Sequence, residues 1–271
     1  MVFTDLDATL LDDTYSWGPA TSALTRLRRG GHCVVLSSSK TLAEMRQLAH
    51  DLQLDAPLVA ENGATIALPQ ESSLLESSDD GPKKDGYIIS TQGASRADIL
   101  AFAHRLRENE GYRFRGFADW DAKEVAFRTG LTSESAALAL QRHGTEPIAW
   151  EDSEEHWLAF RASLDGQGIQ AIRGGRFIHL MGKTDKAHGL REVVRRARKL
   201  SAWTEMRVIA LGDSPNDSEM LSAADIAVVI PNNHHNETLK PTAPVVRYAE
   251  APGPIGWNQT MHSLMDEMGL D

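Results

Sequence analysis

Cysteine is almost absent from this chain. Cys33 stands alone, which excludes an intrachain disulfide and any multi-cysteine metal cluster. Its place in the apolar run Cys33-Val34-Val35-Leu36 reads as a buried, inert thiol rather than a nucleophile. No apolar run reaches membrane-spanning length, and the N-terminus lacks a basic segment leading into a long apolar one. No membrane partner is therefore expected, and a cytoplasmic location is the simplest placement. Basic excess is missing too: 28 Lys and Arg face 38 Asp and Glu, a formal charge of -10, which argues against nucleic acid as a partner while leaving room for a small basic pocket. The ten histidines are scattered, and His234-His235 lack ligand spacing, so none is given a metal. There is no GxxxxGKS/T phosphate loop and no GxSxG elbow, which removes support for nucleotide-driven phosphotransfer and for a serine hydrolase. No internal repeat or long low-complexity tract is present. What remains is ordinary: 271 residues, 41% hydrophobic and 24% charged, enough for one large domain or two unequal ones.

The most informative stretch is the first. Val2-Phe3-Thr4 is a short apolar run ending on Asp5-Leu6-Asp7, as a buried parallel strand would at its carboxyl end, where open α/β sheets place their chemistry. Side chains two apart on a strand share a side, so Asp5 and Asp7 point into one mouth unless a turn begins at Leu6. The plainer reading is a pair of turn-capping aspartates. Further along, Ala20 to Gly30 has the pattern of an amphipathic helix, His32 to Leu36 of a strand emptying into Ser37-Ser38-Ser39-Lys40-Thr41, and Leu42 to Leu52 of the next helix. Leu58-Val59-Ala60 runs into Glu61-Asn62-Gly63-Ala64, a tight turn from which Thr65 to Leu68 returns as a strand. A hairpin alone accounts for it, with or without a ligand at Asn62.

Between Pro69 and Lys84 the composition turns to Ser, Asp, Gly and Pro, marking a boundary. Tyr87-Ile88-Ile89 reads as a strand entering the next unit, Ser95 to Glu108 as a helix, Tyr112 to Phe117 as a strand, and Thr132 or Ser133 as the cap of a helix over Ser135 to His143. Ile148-Ala149-Trp150, Trp157-Leu158-Ala159-Phe160 and Arg176 to Leu180 are further strand candidates. The larger unit resumes with a helix over Asp185 to Leu200, a strand Arg207 to Leu211 broken by Gly212-Asp213-Ser214-Pro215-Asn216-Asp217, a helix Ser218 to Ala224 and a strand Ile226 to Ile230. Pro252 to Trp257 looks like a rigid lid-side loop before a last helix. The fold expected is a doubly wound α/β core over 1–83 and 181–271 with an inserted α+β domain over 84–180.

Three strand ends then carry working groups: Asp5 with Asp7, Ser38 with Ser39 and Lys40, and Asp213 with Asn216 and Asp217. Lys186 opens the helix before the last of these. Clustered carboxylates raise one another's pKa, and a divalent cation relieves the repulsion. Magnesium prefers oxygen ligands and keeps waters while contacting substrate phosphate, so Asp5, the Asp7 carbonyl and Asp213 suit it. Asp217 has two roles open to it, direct ligand or hydrogen-bond partner of Asp213, Lys186 or metal-bound water. Ser38, the N-terminus of its helix and Lys186 suit a phosphate. That set allows Asp5 to act as nucleophile and Asp7 as the acid that protonates a leaving oxygen and then as base toward water.

This combination resembles the haloacid-dehalogenase superfamily of aspartate-nucleophile phosphatases, in the subgroup with an α/β cap after the second motif. Asp5-Leu6-Asp7-Ala8-Thr9 matches its first motif, Ser38 its second-motif hydroxyl, Lys186 its third-motif lysine, and Gly212 to Asp217 its acidic fourth motif. The resemblance implies a Rossmann-like haloacid-dehalogenase core with an inserted α+β cap, Mg2+ dependence and a phospho-aspartate, with Ser214, Asn216 and Asp217 supporting the metal. Over nearly the whole chain, Ser38-Ser39-Lys40-Thr41, Glu61 to Ala64, Phe117 through Gly130, Gln141-Arg142 with Glu146-Pro147, Gly174 to Phe177 with His179-Leu180, and Pro252 to Trp257 look like mannosyl-3-phosphoglycerate phosphatases. That implies a small-molecule phosphorylated glycosyl-glycerate as substrate, with Lys40, Arg142 and Arg176 near its anionic parts and Ser39, Asn62, Gly63 and His179 among the other substrate-binding residues.

Two residues depart from the pattern. Ala8 and Ala187 stand where the family commonly has glycine, and alanine at 8 is costly if that turn needs positive φ. Taken singly, Lys40 or Arg142 is as ordinary as any surface cation, Arg176 suits an exposed strand face, Glu146 serves equally to position Arg142 or to meet a sugar hydroxyl, and Trp120, Trp150, Trp157 and Trp203 suit packing better than a sugar platform. Two other functions stay open on sequence: a broader sugar-phosphate or glucosyl-3-phosphoglycerate phosphatase, and a non-catalytic phosphoglycosyl-binding module in which Ala8 has misplaced Asp5.

Overall fold

The computed structural model describes residues 1–173, 176–200, 203, 206–232 and 238–270; Gly174, Gly175, His234 and His235 lie outside them. The chain begins as β1 (Val2–Thr4) and adds β2 (Val34–Ser37), β3 (Leu58–Ala60), β4 (Thr65–Pro69), β5 (Lys83–Lys84) and β6 (Tyr87–Thr91). It builds a smaller sheet from β7 (Phe114–Gly116), β8 (Thr145–Trp150), β9 (Ile169–Arg173) and β10 (Ile178–Gly182), then returns as β11 (Ile209–Gly212), β12 (Ile226–Val229) and β13 (Val245–Tyr248). Among the described residues the large sheet runs β13-β12-β11-β1-β2-β3-β4-β6-β5 and the small one β7-β8-β10-β9.

β1 lies between β11 and β2, parallel to both, with Phe3 opposite Ala210 on one side and Val35 on the other. A strand paired on both edges and covered on both faces is nearly continuous in apolar residues. Val2 accordingly packs with α1 (Thr21–Arg29), α2 (Leu42–Asp51) and α9 (Gly253–Glu267) through Leu24, Leu27, Met45 and Trp257, while Phe3 faces α7 (Lys186–Ala197) and α8 (Ser218–Ser222) through Leu190, Val193 and Met220. Asp5, Ser38, Glu61 and Asp213 therefore follow β1, β2, β3 and β11 directly, on one carboxyl edge.

The mixed α/β core with its smaller inserted cap is as the sequence indicated, but the crossing point differs. β6 pairs with β4 inside the large sheet and β5 with β6, so the division at 84 cuts through that sheet and the chain leaves it only after Thr91. In the cap, α3 (Arg96–Glu110) and α6 (Glu154–Asp165) cover one face of the small sheet, joined by Ile99, Phe114, Trp157 and Phe160. On the other face α4 (Ala122–Thr129) and α5 (Ser133–Ala139) pack with Phe117 and Trp120. Trp157 to Phe160 is thus helix, not strand. Ser153 caps it by accepting from His156 N, and Trp157, Phe160 and Leu164 are buried at helical spacing.

Pro252 to Trp257 is likewise not a loop: from Gly253 onward it is the first part of α9. Pro252 is the N-cap of α9, and Trp257 is fully buried with its indole donating to Thr4 Oγ1 at 3.0 Å. Among the described residues no helix is long and apolar enough to cross a membrane.

Candidate active site

β1 ends at Thr4 and the chain turns at Leu6, whose carbonyl accepts from the amides of Leu10 and Leu11. The turn separates the two aspartates: Asp5 is buried, whereas Asp7 is exposed. Lys186, one residue into α7 and also buried, reaches Asp5 Oδ1 and Asp217 Oδ1, each at 2.6 Å. Asp217 completes its bonding with Oδ2, which accepts from the amides of Asp213 and Ser214 and from Ser214 Oγ, all at 3.1 Å. That closeness requires Gly212, where a Cβ would collide with the Asp217 side chain. Asp213 is held from two sides, by Thr9 Oγ1 on Oδ1 and by Asn232 Nδ2 on Oδ2, both at 2.6 Å.

Asp5, Asp213 and Asp217 offer oxygens within 4.8 Å of one another. Three carboxylates against one ammonium leave two negative charges in a buried space. Burial pushes the Asp5 carboxyl well above its ordinary value, Lys186 opposes this, and Asp217 and Asp213 add to it. Asp213 is raised by burial and by Asp217, with Thr9 and Asn232 pulling the other way. Burial works against the charge of Lys186, but Asp217 and Asp5 more than offset it and its pKa is raised. A hard divalent cation fits such an all-oxygen donor set.

Ser38 is buried just past β2, the strand next to β1, its Oγ accepting from Lys40 N at 3.2 Å. The N-terminus of α2, expected to face a phosphate, is closed by its own capping box: Thr41 N donates to Glu44 Oε2 at 2.8 Å and Glu44 N to Thr41 Oγ1 at 3.2 Å. Beyond Ser38, a cavity of about 1080 Å³ opens between core and cap, lined by Ser39, Asn62, His179, Lys186, Ser214 and Asn216. Asn62 accepts from Asn216 Nδ2 at 3.1 Å. His179, half-buried, is lowered to about 4 by burial and by the Arg142 charge, so it is a neutral ring at physiological pH.

The remaining expected residues fall elsewhere. Gly63 is buried, where a Cβ would collide with the Asp185 carbonyl, so it serves the packing of the hairpin on α7. Lys40 does not line the cavity; its Nζ lies 3.0 Å from Asp7 Oδ1. Arg142 donates to Thr145 Oγ1 at 2.7 Å and lies over the Phe117 ring, close enough to affect both His179 and Glu61. Arg176 is exposed and donates to the Thr129 carbonyl at the end of α4. Glu146 is taken by Arg96 and by Ala118 N. Ala8 has φ +57°, a left-handed position filled without glycine.

Three residues escaped the reading of the sequence. Thr9 and Asn232 hold Asp213; their signal is a polar residue just past a strand or its turn. Glu61, fully buried, joins core to cap by accepting from His143 N at 2.8 Å, Gly144 N at 3.2 Å and Thr145 Oγ1 at 2.6 Å. Its signal was an acid standing between Ala60 and Asn62, where only the hairpin was read.

The haloacid dehalogenase-like hydrolase family model matches residues 2–247, and the chain belongs to that family. It is 34% identical over 272 residues to a glucosyl-3-phosphoglycerate/mannosyl-3-phosphoglycerate phosphatase of Methanococcoides burtonii, covering 99% of this chain and 97% of the relative. Among solved structures it is similar in fold to a haloacid dehalogenase-like hydrolase from Bacteroides thetaiotaomicron, with TM-score 0.65, 17% identity and coverage of 97% of this chain and 98% of that one. A protein from Thermotoga maritima matches with TM-score 0.64, 17% identity and coverage of 97% and 96%.

Proposed function

We propose that this chain is a magnesium-dependent phosphatase that hydrolyses mannosyl-3-phosphoglycerate to mannosylglycerate and phosphate through a phospho-aspartate at Asp5. The observation that carries this reading is the Asp5 carboxylate held 2.6 Å from Lys186 Nζ beside Asp213, in a chain 34% identical to a phosphatase named for such substrates. An Asp5 oxygen attacks phosphorus as the bond to the glycerate oxygen breaks, and Asp7 gives that oxygen its proton. Asp7 then takes a proton from the water that attacks the phospho-aspartate, releasing phosphate and restoring Asp5. Ser38 and Lys186 hold the nonbridging oxygens as charge develops. Asp5, Asp213 and the Asp7 carbonyl would hold the magnesium ion, with Ser214, Asn216 and Asp217 supporting it; when bound, it supplies compensation between the phosphate and the attacking carboxylate.

Ser39, Asn62 and His179 line the cavity in which the glycosyl-glycerate would lie. Arg142 does not line this cavity but is close enough to His179 to lower its pKa, and it is the cation assigned to the anionic part. The relative's name covers both hexoses, which favours glucosyl-3-phosphoglycerate as a second substrate. Against a non-catalytic role stands the Asp5–Lys186 contact, made despite the strained turn at Ala8. The experiment is phosphate release from both glycosyl-3-phosphoglycerates, 3-phosphoglycerate and hexose phosphates, with magnesium and with chelator. Magnesium-dependent release, fastest from a glycosyl-3-phosphoglycerate, is expected; fastest release from a simple hexose phosphate would reject the substrate assignment, and no release from any would reject the enzyme.

A further inference from the structure

Lys40 resembles a substrate ligand in sequence but is placed differently in the structure. Its ammonium is 3.0 Å from Asp7 Oδ1, and its side chain is only 16% exposed whereas that of Asp7 is 49% exposed. The Tyr15 ring covers it, with Nζ 4.7 Å from the ring centroid, a favourable cation–π distance. At the backbone, Lys40 N donates to Ser38 Oγ at 3.2 Å and its carbonyl accepts from Glu61 N at 2.9 Å, so the base of the side chain is fixed. Lys40 is the one ion-pair partner of Asp7 among the described residues.

The turn that supplies Tyr15 is built for its position. Tyr15 has φ +60°, unfavourable for a bulky side chain and held only where the surroundings impose it. Asp12 imposes it: Oδ1 accepts from Thr14 N at 2.8 Å, Thr14 Oγ1 at 2.7 Å and Ser16 N at 3.0 Å, and its carbonyl accepts from Tyr15 N at 2.9 Å. A half-exposed ring in a strained turn is therefore set against the lysine that grips Asp7.

We infer that Lys40, backed by the Tyr15 ring, is a positioning residue for Asp7: it grips Oδ1 so that the other carboxyl oxygen faces the leaving group. This rests on the reading of Asp7 as the acid that protonates the leaving oxygen. In the phosphoryl-transfer step, which kcat/KM reports, a misplaced Asp7 slows the departure of an alkoxide, which needs the proton, and hardly affects a phenolate, which leaves without one; hydrolysis of the phospho-aspartate, where Asp7 is the base, is common to both substrates.

The test measures kcat and KM of the full chain, with magnesium, on mannosyl-3-phosphoglycerate and on p-nitrophenyl phosphate. The variants are K40M, K40R, Y15A, Y15F and D7N, each checked for unchanged thermal unfolding. On the glycosyl substrate K40M is expected to lose about tenfold or more in kcat/KM, carried by kcat with KM within about threefold; on p-nitrophenyl phosphate kcat/KM falls by less than about threefold. K40R and Y15F restore most of the rate, and Y15A reproduces part of the loss. A K40M enzyme with raised KM and unchanged kcat would make Lys40 a substrate ligand and overturn the inference. Equal losses on both substrates in K40M, while D7N discriminates between them, would overturn it as well. If D7N itself does not discriminate, or the wild-type chain turns over neither compound, the reading of Asp7 fails first and the inference with it.

Discussion

Lys186 Nζ lies 2.6 Å from Asp5 Oδ1 although 181 positions separate the two residues in sequence. The contact is buried, and the same ammonium also holds Asp217 at 2.6 Å. Among the described residues it is the one cation paired with these carboxylates, and it carries both organisation and charge balance there.

Replacing Lys186 by Met should leave Asp5 and Asp217 facing each other without a counter-charge. Removing one partner of a buried pair costs about 3–5 kcal/mol. Urea unfolding in chelator should show a loss of that order, with activity abolished; a variant as stable as the wild type would mean that the cluster is already neutral.

The carboxylates make an opposite prediction. Asp5 and Asp213 are raised by burial and by their neighbours. A carboxyl whose folded pKa lies above its unfolded one costs stability at neutral pH, and the cost is lifted as pH falls through the folded-state value. Asp213→Asn in chelator at pH 7 should therefore melt higher than the wild type, by roughly 2–4 °C for each kcal/mol relieved. Magnesium should raise the melting temperature of the wild type and do little for the variant. Equal responses of both proteins to magnesium would place the ion elsewhere.

Glu61 has the reverse sign. Burial disfavours its charge, but bonds from His143 and Thr145 and the nearby Arg142 hold its pKa down to about 2, against an ordinary 4.5. Its contribution is fully present above the ordinary value and is lost as pH falls toward 2, on the order of 3 kcal/mol in all. Glu61→Gln should be less stable at pH 7, and its difference from the wild type should shrink as the pH is lowered from 5 to 2. A difference constant with pH would show that the core-to-cap link does not depend on the charge.

At Ala8 the left-handed backbone, φ +57°, is one that alanine adopts at a cost of about 1–2 kcal/mol. Glycine removes that cost and adds some unfolded-state entropy. Ala8→Gly should raise stability by about 1 kcal/mol, read as a melting shift of about 2–4 °C. An unchanged or lower melting temperature would mean that the turn adjusts without strain.

Much of this site could be read before folding because it sits on short apolar strands whose ends are fixed by hydrogen bonding. Asp5 and Asp213 follow β1 and β11, neighbours in the sheet, so strand ends read from periodicity become one edge in space. Lys186 was legible as the first residue of an amphipathic helix capped by Asp185. The misplacements share another cause, that local pattern does not fix where a side chain turns or what an apolar cluster packs against. Trp157 to Phe160 is apolar enough for a strand, and only the Ser153 cap and burial at Leu164 disclose the helix. Lys40 is turned to Asp7, against the ring of Tyr15 in a turn that sequence marks only as polar, and not into the cavity. Glu61 was hidden because its donors lie more than eighty residues away, in the cap.

The most direct test of the account is to locate the phosphoryl group during turnover. The Asp7→Asn variant, which lacks the base for the second step, is mixed with magnesium and p-nitrophenyl phosphate, whose phenolate leaves without a proton, quenched in acid within a fraction of a turnover and analysed by peptide mass spectrometry. The N-terminal peptide should gain the mass of one phosphoryl group, located on Asp5, and the gain should vanish in Asp5→Asn. A phosphoryl group on any other residue, or phosphate release by the wild type with no modified peptide in either protein, would contradict it.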